Sequence, residues 1–337
     1  MTMKYKIKES FPKGNDVLFY HDKKVVVDSF GIHFYDENGN ETGAIIDFFN
    51  GLEAKVVMEH YLLLRSFRIG FKLYDLDTLE ELNVLSLDDE HMAGEHGYFV
   101  KDDRLYILSG SLSNRLVDFI MLGDEKNKEE KKSEIDIYSL KDLSFVGKYV
   151  LDASYEKMFY VSFLDKIYCV SPEGYVVEAS ENGCHKLEQI HFQVEAILAD
   201  EDRKQILLQS LTGVRIYDEF FREINKIDFV EQDYSSVSSY DEMPMAFSMK
   251  LGSVEMEKKL SQRNLVHYLG YYDENTFLVL KSLNMGAQFG IELVDIRTGK
   301  ILQDSLFGAP IEDLRSFKDN TFLLKTMGNL IILEVNE

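Results

Sequence analysis

Apolar residues in this chain fall in short runs, and successive runs are separated by tight clusters of Asp, Asn, Glu and Lys. "YYDENTFLVLKSL" (271–283) has this form, and it returns almost verbatim as "SFKDNTFLLKTM" (316–327). An apolar run, an acidic turn and a second apolar run predict two strands of a hairpin. Asp and Asn suit the turn because their short side chains bond the local backbone and tolerate left-handed conformations. Further copies are "VLFYHDKKVVVDSF" (17–30), "GYFVKDDRLYILSGS" (97–111), "MFYVSFLDKIYCVSPEG" (158–174) and "VEAILADEDRKQILLQSL" (194–211). "AKVVMEHYLLLRSF" (54–67) fits with a weaker turn signal.

A second hairpin follows each of these, its first strand often closing on Tyr-Asp. Examples are "GIHFYDENGNETGAIIDF" (31–48), "FKLYDLDTLEELNVLSL" (71–87), "IDIYSLKDLSFVGKYVL" (135–151) and "GYVVEASENGCHKLEQIHF" (174–192). "VRIYDEFFREINKIDF" (214–229) and "IELVDIRTGKILQDSLF" (291–307) complete the set. Short runs at this spacing, with no helical stretch between them, predict an all-β protein.

Four strands in roughly 40 residues, repeated along the chain, is the length of a propeller blade. On these hairpins the chain resembles a seven-bladed β-propeller of the WD40-like or quinoprotein-like kind, with six or eight blades as alternatives. The resemblance implies blades at about 17–48, 54–87, 97–152, 157–192, 194–229, 265–308 and 311–335. The last copy supplies only "IEDLRSF", "TFLLKTM" and "NLIILEV", so its outer strand is expected from residues 3–11, "MKYKIKESF". Closure of this kind removes an exposed sheet edge.

Such a ring gathers its short turns on one face and its longer connections on the other. The first face collects Asp22, Asp102, Asp103, Asp165, Asp202, Asp273 and Asp319, with Asp36, Asp75 and Asp218. A carboxylate ring of this kind can attract a basic partner; turn chemistry is the plainer account. Two insertions, 112–133 and 230–264, map to the opposite face, and insertions on one face of a repeat protein often mark its binding side. The first carries Leu116, Phe119, Ile120 and Met121, and the second Tyr234, Tyr240, Met243, Met245, Phe247 and Met249. Met and aromatic residues suit adaptable protein interfaces, which makes these the candidate partner contacts. The competing reading is that the segments cover the ring's own channel mouth.

Charge narrows the choice of partner. The 337 residues hold 59 acidic and 37 basic side chains, a formal net charge of −22. That field repels phosphate backbones and anionic lipid, so neither nucleic acid nor membrane is expected, and it favours a basic partner. Cys169 and Cys184 lack any metal-ligand or disulfide spacing, and Cys169, in "KIYCV", reads as a core residue. The N-terminus "MTMKYKIKESF" shows no apolar signal region, so the expected location is cytoplasmic.

No nucleophile elbow, phosphate loop, dinucleotide fingerprint or zinc-protease helix is present, and no cofactor is implied. Asp36, Asn38, Asn40 and Asp47 are spaced somewhat like a calcium loop, but Glu41 stands at the required glycine, and Asn38-Gly39 is a favoured hairpin turn. At the expected channel mouth, where inner strands begin, stand Asp16, Glu53, His96, Glu195, His267 and Glu312. The sequence therefore supports a non-enzymatic propeller that binds a partner protein. Its sharper form is an acidic inhibitor or immunity-type protein that captures a basic partner. The alternative is a propeller hydrolase or lactonase with a divalent cation held by the channel-mouth residues.

Overall fold

The computed structural model describes residues 4–46, 51–66, 70–87, 97–109, 132–188, 190–194, 196–210, 213–228, 265–283, 288–307, 311–316, 321–326 and 329–336. Its strands form seven four-stranded sheets. The first strand, β1 (Lys4–Pro12), belongs to the last of them. Blade one is β2 (Gly14–Tyr20), β3 (Lys23–Asp28), β4 (Gly31–Tyr35) and β5 (Glu41–Ile46). Blade two is β6 (Gly51–Val57), β7 (Tyr61–Ser66), β8 (Gly70–Asp75) and β9 (Glu81–Ser86). Blade three is β10 (Tyr98–Lys101), β11 (Arg104–Ser109), β12 (Glu134–Ser139) and β13 (Phe145–Val150). Blade four is β14 (Lys157–Val161), β15 (Lys166–Val170), β16 (Val176–Ser180) and β17 (Gly183–Lys186). Blade five is β18 (Ala196–Asp200), β19 (Gln205–Gln209), β20 (Gly213–Tyr217) and β21 (Glu223–Asp228). Blade six is β22 (Leu265–Tyr271), β23 (Thr276–Leu283), β24 (Gln288–Asp295) and β25 (Ile301–Phe307). Blade seven is β26 (Ile311–Ser316), β27 (Thr321–Thr326) and β28 (Asn329–Asn336), closed by β1. The chain is an all-β, seven-bladed propeller, and the N-terminal strand completes its last blade, antiparallel to β28 from Lys4 opposite Asn336 to Pro12 opposite Asn329.

The core is distributed over seven apolar clusters, one in each seam between blades. Val25, Val27 and Phe34 meet Leu62, Leu64 and Tyr74 between blades one and two. Val17 and Val26 meet Leu323, Leu330 and Ile332 between blades one and seven, which closes the ring. The second strand of a blade is buried on both sides, so it reads as a continuous apolar run rather than an alternating one. In β7, Leu62 and Leu64 face blade one while Leu63 faces blade three, and all three are fully buried. Each such leucine contributes about 1.5–3 kcal/mol through burial. The repeated phrase does the same work twice. Phe277 and Phe322 each face the preceding blade, and Leu278 and Leu323 face the following one.

Blades share a second device. The pairing of the third and fourth strands breaks register just before the turn in blades one, two, three, five and six, at Tyr35, Tyr74, Tyr138, Tyr217 and Val294. A bulge there increases local twist, and in four of these blades it gives the Tyr of the recurring Tyr-Asp or Tyr-Ser a fixed place. The hairpin with the weak sequence signal, β6–β7, turns through Met58 and Glu59, both left-handed at φ 49° and 68°. Asn-Gly normally fills such positions, so nothing in "VVMEHY" announced the turn.

Candidate functional site

Short turns within hairpins define the lower face of the ring; connections from second to third strands and between blades define the upper face. On the lower face the acidic residues are held by local bonds. Asp36 accepts hydrogen bonds from the backbone N–H groups of Asn38 and Asn40, and Asp75 from those of Asp77 and Thr78. Asp218 does the same with Phe220 and Arg222, and Asp295 with Arg297 and Thr298. Ser139 and Ser180 fill the equivalent place in blades three and four, accepting from Lys141 and Asn182. Asp273 accepts from the N–H of Asn275, and Asp165 bonds Lys101 and the Tyr160 hydroxyl. The carboxyl groups of Asp36, Asp75, Asp165 and Asp295 are held below the usual range, chiefly by hydrogen bonds from Asn40, Thr78, Lys101 and Thr298 respectively. For Asp218, desolvation pushes upward, but the bonds from Arg222 and Phe220 win. Asp319 lies outside the described residues. Turn chemistry thus accounts for Asp36, Asp75, Asp218, Asp273 and Asp295, whereas Asp165 pairs with Lys101 of the neighbouring blade, and the calcium-like spacing around Asp36 is a hairpin turn.

Charged and polar side chains penetrate the ring mostly from the upper face. Asp16 sits at the start of inner strand β2, buried at 1% exposure, where a bulge interrupts the β2–β3 register. Its two oxygens accept the N–H groups of Val17 at 2.6 Å and of Ala54, on the next blade, at 2.7 Å. Beside it, the Asn15 amide donates to the carbonyl of Gly51 at 2.7 Å. Glu53 accepts from Arg65 Nε at 3.3 Å, and the Arg65 guanidinium lies 5.6 Å from the centre of the Tyr98 ring. Burial pushes the Tyr98 hydroxyl well above its ordinary range, with Glu53 adding to the effect and Arg65 opposing it. Three blades therefore meet at this cluster: Asp16 from the first, Glu53 and Arg65 from the second, Tyr98 from the third.

Other seams repeat the arrangement. Ser133, fully buried at the near end of β12, accepts the N–H of Tyr155 at 2.9 Å and ties blade three to blade four. Ser66, Ser109, Ser171 and Gln209 are also buried, each at or just beyond the upper end of a second strand, and buried Lys281 stands two residues before the upper end of β23. Lys281 meets Glu292, from the middle of β24, at 2.5 Å. Among the described buried polar residues Thr276 alone lies at the lower end.

Of the six residues placed at the channel mouth by sequence, Asp16 and Glu53 lie in one cluster. His96 and Glu195 lie outside the described residues, as do the side chains of His267 in β22 and Glu312 in β26. The candidate partner contacts Leu116, Phe119, Ile120, Met121, Tyr234, Tyr240, Met243, Met245, Phe247 and Met249 lie outside them too. Sequence reading missed Arg65, Tyr98, Lys281 and Glu292. A signal was there: "YLLLRS" and "TFLVLKS" each place a cation at the end of a run otherwise buried on both sides. Among the described residues, no group of His, Cys, Asp or Glu is arranged to hold a metal ion.

No family model matches the sequence, and no curated protein does. Solved structures share its fold at low identity. The C-terminal WD40 domain of Sif2 is 10% identical with a TM-score of 0.56, over 96% of this chain and 82% of that one. BBS1N, solved in complex with ARL6DN, is 10% identical at 0.54, over 100% and 98%. BamB from Moraxella catarrhalis is 8% identical at 0.54, over 98% and 100%. By its sheets, its closure and these likenesses, the chain is a seven-bladed β-propeller similar in fold to WD40 and BamB propellers.

Proposed function

We propose that this propeller is a non-enzymatic binding protein that holds a basic partner protein on its upper face. The observation that carries the reading is the concentration of buried polar side chains at that end of the seams, from Asp16 through Arg65 and Ser133 to Lys281. Each is engaged between strands or blades, which makes the face a rigid, pre-organised platform, and rigidity lowers the cost of association. Asp16 serves two backbone N–H groups, so it acts as a blade tie rather than as a cation ligand or a general base. The net charge of −22 supplies long-range attraction for a basic surface. The strands flanking the two insertions end or begin on this face, at Ser109, Glu134, Asp228 and Leu265. In this proposal the Met and aromatic residues of 112–133 and 230–264 add short-range contacts, and the partner is a basic protein neutralised in the cytoplasm. Binding of a protein by BBS1N is a precedent for the fold in this role.

The test is affinity capture from the native host, followed by reconstitution with the purified partner. The intact chain is compared with one whose residues 230–264 are replaced by a Gly/Ser linker. A stoichiometric complex that weakens steeply with salt and is lost with the segment is the expected result. A complex indifferent to both changes would overturn the reading.

A further inference from the structure

Among the described residues, no strand pairs with the outer edge of each blade's fourth strand, and exposed edges invite another strand unless charge or shape protects them. β1 is protected by Lys6, Lys8 and Pro12, and β21 by Glu223, Lys226 and Asp228. β13, "FVGKYV", differs. Phe145, Val146 and Val150 are 56%, 50% and 55% exposed, whereas no other outer strand shows more than two exposed large apolar residues among the described ones. Its single charge, Lys148, is matched within the sheet by both Glu134 oxygens at 2.8 Å. Strand β12 covers one edge of β13 through the register Glu134–Val150 to Tyr138–Phe145; among the described residues no strand pairs with the other edge.

Charge at the two ends of this edge specifies what would fit. Asp142 stands in the turn below β13 and Asp152 just beyond its upper end, both exposed. Hydrogen bonds from Ser144 and from the Tyr155 hydroxyl, respectively, hold their carboxyl groups below the usual range, so both stay charged. Nearby Lys141 faces Asp103 at 3.9 Å, and Lys148 is already paired. The edge therefore carries exposed apolar side chains toward each end of β13, around the paired Lys148, with a carboxylate beyond each end and Lys132 beside that of Asp152.

We propose that the free edge of β13 accepts an extended segment of a partner protein as a fifth strand, with aliphatic or β-branched residues at its centre and Lys or Arg at each end. Main-chain hydrogen bonds along the edge give affinity, and Phe145, Val146 and Val150 select the alternate side chains. Asp142 and Asp152 stand ten positions apart in sequence, so cations that reach both stand about eight to ten residues apart on a paired strand. The inference shares the basic partner of the proposed function but needs no contact on the upper face.

The experiment uses the full chain and a labelled synthetic peptide of Val-Thr repeats flanked by lysine pairs, followed by fluorescence anisotropy. The lysine-flanked peptide binds, its glutamate-flanked counterpart does not, and methylating alternate backbone nitrogens abolishes binding. Val150→Lys and Val146→Lys weaken binding at least about tenfold, by blocking the edge and repelling the ends, while Leu302→Lys on β25 leaves it unchanged. Equal binding by Val150→Lys, or by the methylated peptide, overturns the proposal. So does concentration-dependent self-association that Val150→Lys removes, since the edge would then serve a second copy of the chain. A peptide that fails while the natural partner still docks on the upper face sinks the edge alone. A peptide that binds at β13 when no salt-sensitive partner exists sinks the upper-face reading alone.

Discussion

The carboxylate of Asp16 reaches out of its own blade and accepts the backbone N–H of Ala54, 2.7 Å away at the start of the next. An inner-strand amide at a seam has no ladder partner on that side, so without Asp16 it would be buried and unsatisfied. Leaving such a donor unpaired costs about 1–3 kcal/mol. Asp16→Ala strips acceptors from both Val17 and Ala54, and the expected loss of stability is about 2–4 kcal/mol. Asp16→Asn keeps one acceptor and should lose about half as much. Urea melts of the three proteins check this, and an Asp16→Ala midpoint equal to that of the parent would contradict it.

Ring closure makes a second prediction. β1 pairs with β28 along its length, Phe11 packs at the seam between blades seven and one, and Lys24 of blade one forms an ion pair with Glu9. Removing residues 1–12 takes away the outer strand of blade seven and opens the edge of β28. The whole melting curve should shift to lower temperature, because each blade is buried only against its neighbours. Calorimetry that shows an unchanged transition would mean the ring does not depend on this strand.

The blades were legible because their signal is local and repeated. A hairpin needs an apolar run, a turn residue and another run, and "TFLVLK" and "TFLLKT" state this plainly. What stayed hidden depended on residues far apart in sequence. Asp16 and Ala54 are 38 positions apart, and nothing in "GNDVLF" shows that its Asp serves a neighbour's backbone. The turn at Met58 and Glu59 was faint for another reason: packing on both flanks imposes a conformation those residues do not favour on their own. Arg65 beside Tyr98 was passed over because a cation at a strand end reads as a solvated terminus unless its seam is known. The upper face was placed by topology alone, and its polar character appeared only with the burial of its side chains.

Acid sensitivity should come from the lower face. Asp36, Asp75, Asp218 and Asp295 have folded carboxyl groups that ionise below their unfolded value of about 3.9. A depressed folded pKa contributes stability that is complete above the unfolded value and is lost as pH falls through the folded one. The melting temperature should therefore hold from neutrality to about pH 5 and fall below about pH 4. Blades three and four already use serine in this position. Replacing all four aspartates by serine keeps the turn bonds and removes the titrating groups, so the decline below pH 4 should flatten. Thermal melts followed by circular dichroism would show an undiminished decline if these turns were not responsible.

Lys281 and Glu292 give the strongest single-site test of the polar seams. Both are nearly inaccessible, at 4% and 1% side-chain exposure, and they meet at 2.5 Å. By strand alternation they lie on the side of blade six that carries Phe277, Val279 and Val294, facing blade five. Removing one partner of such a pair strands the other charge where water cannot reach it. Lys281→Met is expected to cost about 3–5 kcal/mol. Replacing both, as Lys281→Met with Glu292→Leu, removes the charges together and should recover most of that loss, since a buried pair offsets its own desolvation only partly. The double-mutant cycle separates two roles for the pair. Near-complete recovery of stability with weaker partner binding would mean the pair shapes the upper end of the seam for function. A double variant as unstable as the single one would mean that neighbouring groups depend on the charges, and the seam would then be a cooperative network rather than an isolated ion pair.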